Sequence, residues 1–543
     1  MRKLEVTKTL TLLIIFACTP SHGQMLQNLL IGNAKAISLG NAVTADPPGI
    51  DSIHFNPAGL ARLKGRQYEL KFIVGDVTIE GEFQLNDQSV IDDLEERGLT
   101  DPLAGTKTSV DKMAVYLPGG KHTDLPVLMA PLGGISYNPE GSNFTFATGV
   151  YAPMILGMTR KEDDPGIVYG ENLSITRITY FSPSVAYQMT DRLSVGLSVG
   201  LSFMGVAVKI PFRSPSKLIG EIVNVTNDLC GRSDDPKYIL DVPDSLLDLD
   251  VCRAELSPFD PVFKLDYNAE KHRSVTYNLG ILWEANDWLT LGMTYQSESV
   301  DKLKGSFDME ILDLNAILNG LANSTILGSN LLLNQIFREA VGTPEDGFLS
   351  VHSEITLTTP QHLAVGMSVQ VLPKLKMNFD VKWTETSKWD TIVIDFEHNI
   401  GVVGLFSLLG VVGAQPGSLT APRGYNDTVN WGIGFEYAYN SKLDLRLGYE
   451  PRKTGIPKDK RDFLIPLGDL DVIATGFSYK LSKTSSVDFA VVYTKSEMFI
   501  PAGSSTNGND TRFHNVLYNP TAGLDTLSLI EIFLIETSYR TTF

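Results

Sequence analysis

The feature that most restricts this chain is an alternation of apolar and polar side chains that begins near residue 66 and recurs to the C-terminus. In residues 374–383, Leu375, Met377, Phe379, Val381 and Trp383 alternate with Lys376, Asn378, Asp380 and Lys382. Residues 273–283 place Val275, Tyr277, Leu279, Ile281 and Trp283 on one side. Residues 443–450 set Leu443, Leu445, Leu447 and Tyr449 against Asp444, Arg446 and Glu450. In residues 193–202, Leu193, Val195, Leu197, Val199 and Leu201 oppose only Ser and Gly. A period of two belongs to strands with unlike faces.

Soluble sandwiches also alternate, so the connections carry the next step. About fourteen candidate strands are joined by links that are short and long in turn. Residues 138–142, 189–191, 285–287, 372–373, 440–441 and 482–484 are the short ones. The long ones centre near 100, 165, 240, 330, 410, 460 and 515. Tight turns at one end and long loops at the other describe an antiparallel transmembrane β-barrel of a bacterial outer membrane. Tyr137, Tyr187, Trp283, Trp288, Tyr437, Tyr439 and Tyr479 lie beside the short turns. They form one interfacial girdle, or are the Tyr and Trp that strand ends often carry. In the last strand Phe533, Ile535, Tyr539 and Phe543 share a face, which resembles the C-terminal signal read by the barrel assembly machinery.

Composition fits this reading. Hydrophobic residues make up 43% of the chain, yet mean hydropathy is only +0.01, so apolar residues are interleaved with polar ones. Helical membrane proteins instead show runs of about 18 or more apolar residues. A net charge of −18 excludes nucleic acid as a partner, because phosphate binding needs basic surface. Acidic loops are compatible with a cell surface where divalent cations bridge to lipopolysaccharide and outer membrane lipid.

Residues 1–23 read as an export signal: Arg2 and Lys3, an apolar core from Leu10 to Cys18, and small residues at Ser21 and Gly23. Cys18 is alternatively a lipidated cysteine. Cys230 and Cys252 then remain, either as a loop disulfide or as two free thiols.

Residues 24–65 do not alternate. They contain Ala36-Ile37-Ser38-Leu39-Gly40-Asn41-Ala42, then Ala45-Asp46, then Phe55-Asn56-Pro57-Ala58-Gly59-Leu60. This segment resembles the N-terminal plug, or hatch, of FadL-type outer membrane transporters for long-chain fatty acids and other hydrophobic compounds. Asn56, Pro57 and Ala58 match the family's Asn-Pro-Ala triplet. The resemblance implies a monomer with a hatch at 24–65 and a barrel at 66–543. It also implies passive uptake without a cofactor, and an inward kink in the third strand that lets ligand leave sideways into the membrane. That strand holds Gly149, Pro153 and Gly157, residues suited to interrupting a ladder. The other reading is an ordinary bulge at a barrel rim.

Two long connections are unexpectedly apolar, at 311–336 and 400–413. They form a capture groove, to which Leu318, Leu321, Leu332 and Phe337 contribute, or they pack on each other as a dry cap. Strand parity turns Arg446 and Lys382 toward the lumen, where they hold a fatty carboxylate or pair with Asp444 and Asp380.

Catalytic and metal motifs are lacking. Gly196-Leu197-Ser198-Val199-Gly200 has the spacing of a serine-hydrolase elbow but lies inside an alternating strand, not on a turn. The eight His residues show no metal-ligand spacing. The expectation is therefore a transporter, not an enzyme, with a water-filled porin or an adhesin as the rival. Whether the ligand is a fatty acid or a hydrocarbon is open.

Overall fold

The computed structural model describes residues 32–96, 100–125, 128–213, 259–312, 348–408, 413–511 and 519–543. Its strands are β1 (Gly65–Gln84), β2 (Thr106–Ser109), β3 (Lys112–Leu117), β4 (Lys121–Leu125), β5 (Leu128–Asn138), β6 (Phe144–Thr159), β7 (Asn172–Phe181) and β8 (Ser184–Thr190). They continue as β9 (Leu193–Arg213), β10 (Pro261–Asn286), β11 (Leu289–Gln296), β12 (Ser299–Ile311), β13 (Phe348–Thr359), β14 (His362–Leu372), β15 (Leu375–Thr384) and β16 (Thr391–Phe396). The last are β17 (Ala414–Gln415), β18 (Ser418–Pro422), β19 (Thr428–Ala438), β20 (Leu443–Arg452), β21 (Asp469–Lys480), β22 (Ser485–Ile500) and β23 (Asp525–Thr542).

These form one closed antiparallel barrel of 14 staves. Five staves are made of two strands in line, β7–β8, β11–β12, β13–β14, β15–β16 and β18–β19. Closure is by β1 on β23, paired without interruption from Gln67↔Thr542 to Gln84↔Asp525. No sheet edge is then left to lipid, where an unpaired amide costs several kcal/mol. The breaks within staves have local causes. Pro183 and Pro360 stand between β7 and β8 and between β13 and β14, and proline has no N–H for a ladder.

The breaks also mark a reversal of polarity. On the short-turn side, the lower half of β10 turns Val275, Tyr277, Leu279, Ile281 and Trp283 outward, all exposed. Above the breaks, β12 buries Leu303, Phe307 and Met309 in the lumen while Lys302 and Lys304 face out. A single polarity, apolar outside and wet inside, is what the alternation predicts for every strand. The upper staves depart from it because they stand beyond the lipid, where water bathes the outer face and the lumen becomes the place to bury apolar surface.

The girdle residues Tyr137, Tyr187, Trp283, Trp288, Tyr437, Tyr439 and Tyr479 are all exposed beside the short turns. Of the apolar connections, 401–408 is a helix whose Val403 packs with Ile400, Ala414 and the upper lumen wall. Residues 313–347, with Leu318, Leu321, Leu332 and Phe337, lie outside the described residues, as do Cys230, Cys252 and residues 1–31.

Leu447 lies mid-stave on the lipid face, 56% exposed. Leu447→Arg is expected to cost about 2–4 kcal/mol of barrel stability. Urea titration in lipid vesicles measures this.

Candidate functional site

Residues 32–63 fill the lower lumen and, apart from Arg62, are buried or nearly so. They form short helices, Ala34–Ser38 and Ser52–Phe55, and a 3₁₀ turn, Pro57–Arg62. Asn56 holds three things at once. Its Oδ1 accepts from the Ala58 N–H at 3.1 Å, capping the turn that Pro57 starts. Its Nδ2 donates to the Thr44 carbonyl at 2.8 Å within the plug and to the Ile281 carbonyl of β10 at 3.0 Å.

The wall receives the plug on glycines. A Cβ on Gly196 would stand 2.2 Å from the Pro57 carbonyl carbon, and one on Gly280 2.1 Å from Asn56 Oδ1. Gly292, Gly432, Gly434 and Gly448 likewise lie against the plug backbone. Gly40 takes a φ of +62° and rests on the Tyr449 backbone, a conformation and a proximity that admit no side chain. In the Gly196-Leu-Ser198-Val-Gly200 run, Gly196 is thus part of the seat for the plug. Ser198 Oγ accepts from Ser184 Oγ at 2.9 Å within the wall.

Buried charges fix the orientation. Asp46 meets Lys35 at 2.9 Å and Lys376 at 2.6 Å; Lys376 also meets Glu436, which pairs with Arg446, which pairs with Asp488, each at 2.7 Å. Burial alone would raise the Asp46 carboxyl, but the two ammonium groups hold it far below the usual carboxylate range. Glu450 accepts from Lys382 and Arg452, both at 2.7 Å, and from Asn41 of the plug at 2.9 Å. Asp51 receives Lys71 and Asn33, both at 2.7 Å, and Asp380 accepts from Thr44.

Lys382 and Arg446 therefore stand in ion networks with Glu450, Glu436 and Asp488, not with Asp380 and Asp444. Same-face neighbours along one strand diverge, whereas Glu436 lies directly opposite Arg446 in the ladder. Gly476, on Arg446's other flank, leaves the guanidinium room to reach Asp488.

Above the plug lies a small cavity of about 60 Å³ lined by His54, Tyr151, Pro153, Met154 and Trp389 together with Arg177, Thr179, Asn278 and Gln296. Burial, reinforced by the charges of His362 and Lys71, pushes the His54 imidazole down to about 3, so it is neutral at physiological pH. Arg177 donates to Thr359, Ser274 and Asp301. The sequence signal for this arginine is slight: it is a lone charge in Ser174-Ile-Thr-Arg177-Ile-Thr179, where it interrupts the alternation.

The wall is incomplete beside this cavity. β6 pairs with β5 only from Tyr137↔Phe146 to Gly133↔Val150. Above Val150 it leaves β5, shifts register on β7 between Tyr151 and Met154 around Pro153, and regains a neighbour on that side only where β3 meets Met158 and Thr159. Gly149 lies at the divergence, where its amide and carbonyl are held by the Ser182 hydroxyl at 2.9 and 2.8 Å. Gly157 lies higher on β6, beneath Ala114 of β3. The missing ladder is replaced by apolar side chains. Ala152, Ile155, Met158 and Val115 belong to one cluster with Val472, Val492, Ile532 and Leu534 of the lumen and Ala34 and Ile37 of the plug.

A sequence model of the family described as outer membrane protein transport protein (OMPP1/FadL/TodX) matches residues 12–543. The chain belongs to that family. It is an outer membrane protein, and its family is one of transporters. This FadL/TodX-family chain is 24% identical over 220 residues to the long-chain fatty acid transport protein of Escherichia coli (strain K12), covering 40% of this chain and 41% of that one. The chain aligns with less than half the length of the curated relatives it matches. In fold it is similar to a Pseudomonas aeruginosa FadL homologue, with a TM-score of 0.62 at 15% identity over 96% of this chain and 100% of that one. It is similar also to the Ralstonia pickettii toluene transporter TbuX, with a TM-score of 0.54 at 16% identity over 95% and 99%.

Gly196→Leu places a side chain where Pro57 now sits. The folded barrel is expected in smaller amount, and what assembles is expected to admit small hydrophilic solutes that the wild type excludes, measured as heat-modifiable migration and as liposome swelling.

Proposed function

We propose that this FadL/TodX-family protein carries hydrophobic compounds, long-chain fatty acids foremost, inward across the outer membrane down their gradient. The observation that carries the reading is the apolar cluster that joins the plug, the lumen wall and the break between β5 and β6. In this reading residues 1–23 are an export signal, 24–65 a hatch and 66–543 the barrel of a monomer placed by the barrel assembly machinery among lipopolysaccharide. Ligand is captured by outer loops, descends the apolar stripe of β21–β23, and leaves sideways near Gly149, Pro153 and Gly157 after the hatch shifts. No step needs an energy source.

The cavity over the hatch suits an amphiphile. Arg177 there offers charge-assisted hydrogen bonds to a carboxylate, and the apolar cluster beside the break accepts the chain. An aromatic hydrocarbon is the second reading, supported by the aromatic wall of Tyr151 and Trp389 and by the toluene transporter among the structural neighbours. The lumen filled by residues 32–63 speaks against a water-filled porin.

Arg177→Met separates the two ligands. Lys271 stays 2.8 Å from Asp301, so that carboxylate keeps a partner. Cell uptake of a fluorescent fatty acid is expected to fall about tenfold, the loss of one hydrogen bond to a charged group, while toluene uptake is unchanged. Equal loss of both would remove the carboxylate role. Mass spectrometry of lipids extracted from the purified protein identifies the resident ligand directly.

A further inference from the structure

The connection between β1 and β5 folds back as the hairpin β3–β4 and lies on the outside of the barrel. Strand parity establishes the side. On β9 the even residues face the plug, as Gly196 does, and the odd residues Val195 and Leu197 face out. Odd positions Phe203, Gly205 and Ala207 continue that outer face, yet all are buried, and Tyr116 of β3 is what covers them. Its ring stacks on Phe203 at 6.2 Å, and a Cβ on Gly205 would stand 2.1 Å from it.

The rest of the hairpin is attached by polar contacts to three staves, β6, β7–β8 and β10. The Tyr116 N–H donates to Thr176 Oγ1 at 3.0 Å. His122 contacts Ser174 Oγ at 3.1 Å and Thr159 Oγ1 at 2.9 Å. The turn amides of Gly119 and Gly120 both donate to Glu270, at 2.9 and 3.0 Å. Ala114 lies directly over Gly157, the residue above the break.

This attachment differs in kind from a stave. Two ladder pairs join β3 to β6, and the contacts of Tyr116, His122 and the Gly119–Gly120 turn with the wall can part without unzipping the barrel. Val115 meanwhile belongs to the apolar cluster that reaches through the break into the lumen. We propose that the β3–β4 hairpin is a shutter: docked, it closes the lateral opening between β5 and β6 from outside, and hydrophobic ligand leaves only when it lifts. The proposal rests on the lateral exit described above.

The test fastens the shutter in the full-length protein in cells. His122→Cys with Ser174→Cys is bridged by a short bis-methanethiosulfonate reagent and later released with reductant. Uptake of a fluorescent fatty acid is expected to fall about fivefold or more on bridging and to recover on release, as for a gating step. The wild type receives the same reagents as control. Tyr116→Ser, which empties the niche at Gly205, is expected to raise uptake. A bridged hairpin that still transports at the unbridged rate overturns the shutter. If the cysteine pair does not reach the surface, unchanged uptake by Tyr116→Ser at normal surface amount overturns it equally. Ala152→Phe, which fills the break itself, tells the two ideas apart. Lost uptake there with normal uptake by the bridged hairpin leaves the lateral exit standing without its shutter. Undiminished uptake by Ala152→Phe removes the lateral exit, and the shutter with it.

Discussion

Lipid gives an unpaired amide or carbonyl nothing to bond, so a membrane-spanning sheet must close on itself. The uninterrupted register of β1 on β23 meets that demand, and it turns every other interruption of the ladder into something that must be made good locally. Between β6 and the β7–β8 stave one serine hydroxyl does so, bonding both backbone groups of Gly149. Between β5 and β6 apolar side chains and the hairpin do so instead. The ladder between β5 and β6 is thus open beside the cavity that Arg177 and His54 line.

The plug is held by two kinds of force with different purposes. Close backbone approach at Gly196, Gly280 and Gly448 supplies dense packing. The ion networks around Asp46, Glu450 and Asp51 are buried, and buried pairs contribute little net stability once their desolvation is counted. Their effect is positional, since a displaced plug would separate Asp46 from Lys376 and Asp51 from Lys71. This combination favours one docked arrangement sharply over partial ones.

Much of the barrel was legible because lipid imposes a period of two and short turns punctuate it. Leu375 to Trp383 and Val275 to Trp283 face lipid as their alternation predicts. Asn56-Pro57-Ala58 was legible as a motif, but its purpose was not, because Gly280 and Ile281 lie more than two hundred residues away. Two things were hidden. The upper staves also alternate, and sequence alone does not say where the lipid ends, so the inward burial of Leu303 and Phe307 was not legible. Residues 112–125 read as part of a long loop, since a hairpin on the outside of the wall makes its case only when Phe203 and Gly205 are seen to need a cover. The partners of Lys382 and Arg446 were misplaced for a related reason, because contacts across a sheet depend on register.

The way residues 32–63 are housed bears on how the chain reaches its native state. Their internal contacts, such as Asn56 with Thr44 and Lys35 with Asp46, are few beside those made to the wall, and these wall partners are distributed over staves from β1 to β23. Such a peptide has no reason to hold its shape alone, and a finished cylinder offers no entrance through which each backbone could find its glycine. Docking of this segment and sealing of β1 against β23 must then be phases of one cooperative transition, so that the boundary near residue 65 divides the polypeptide on paper but not thermodynamically.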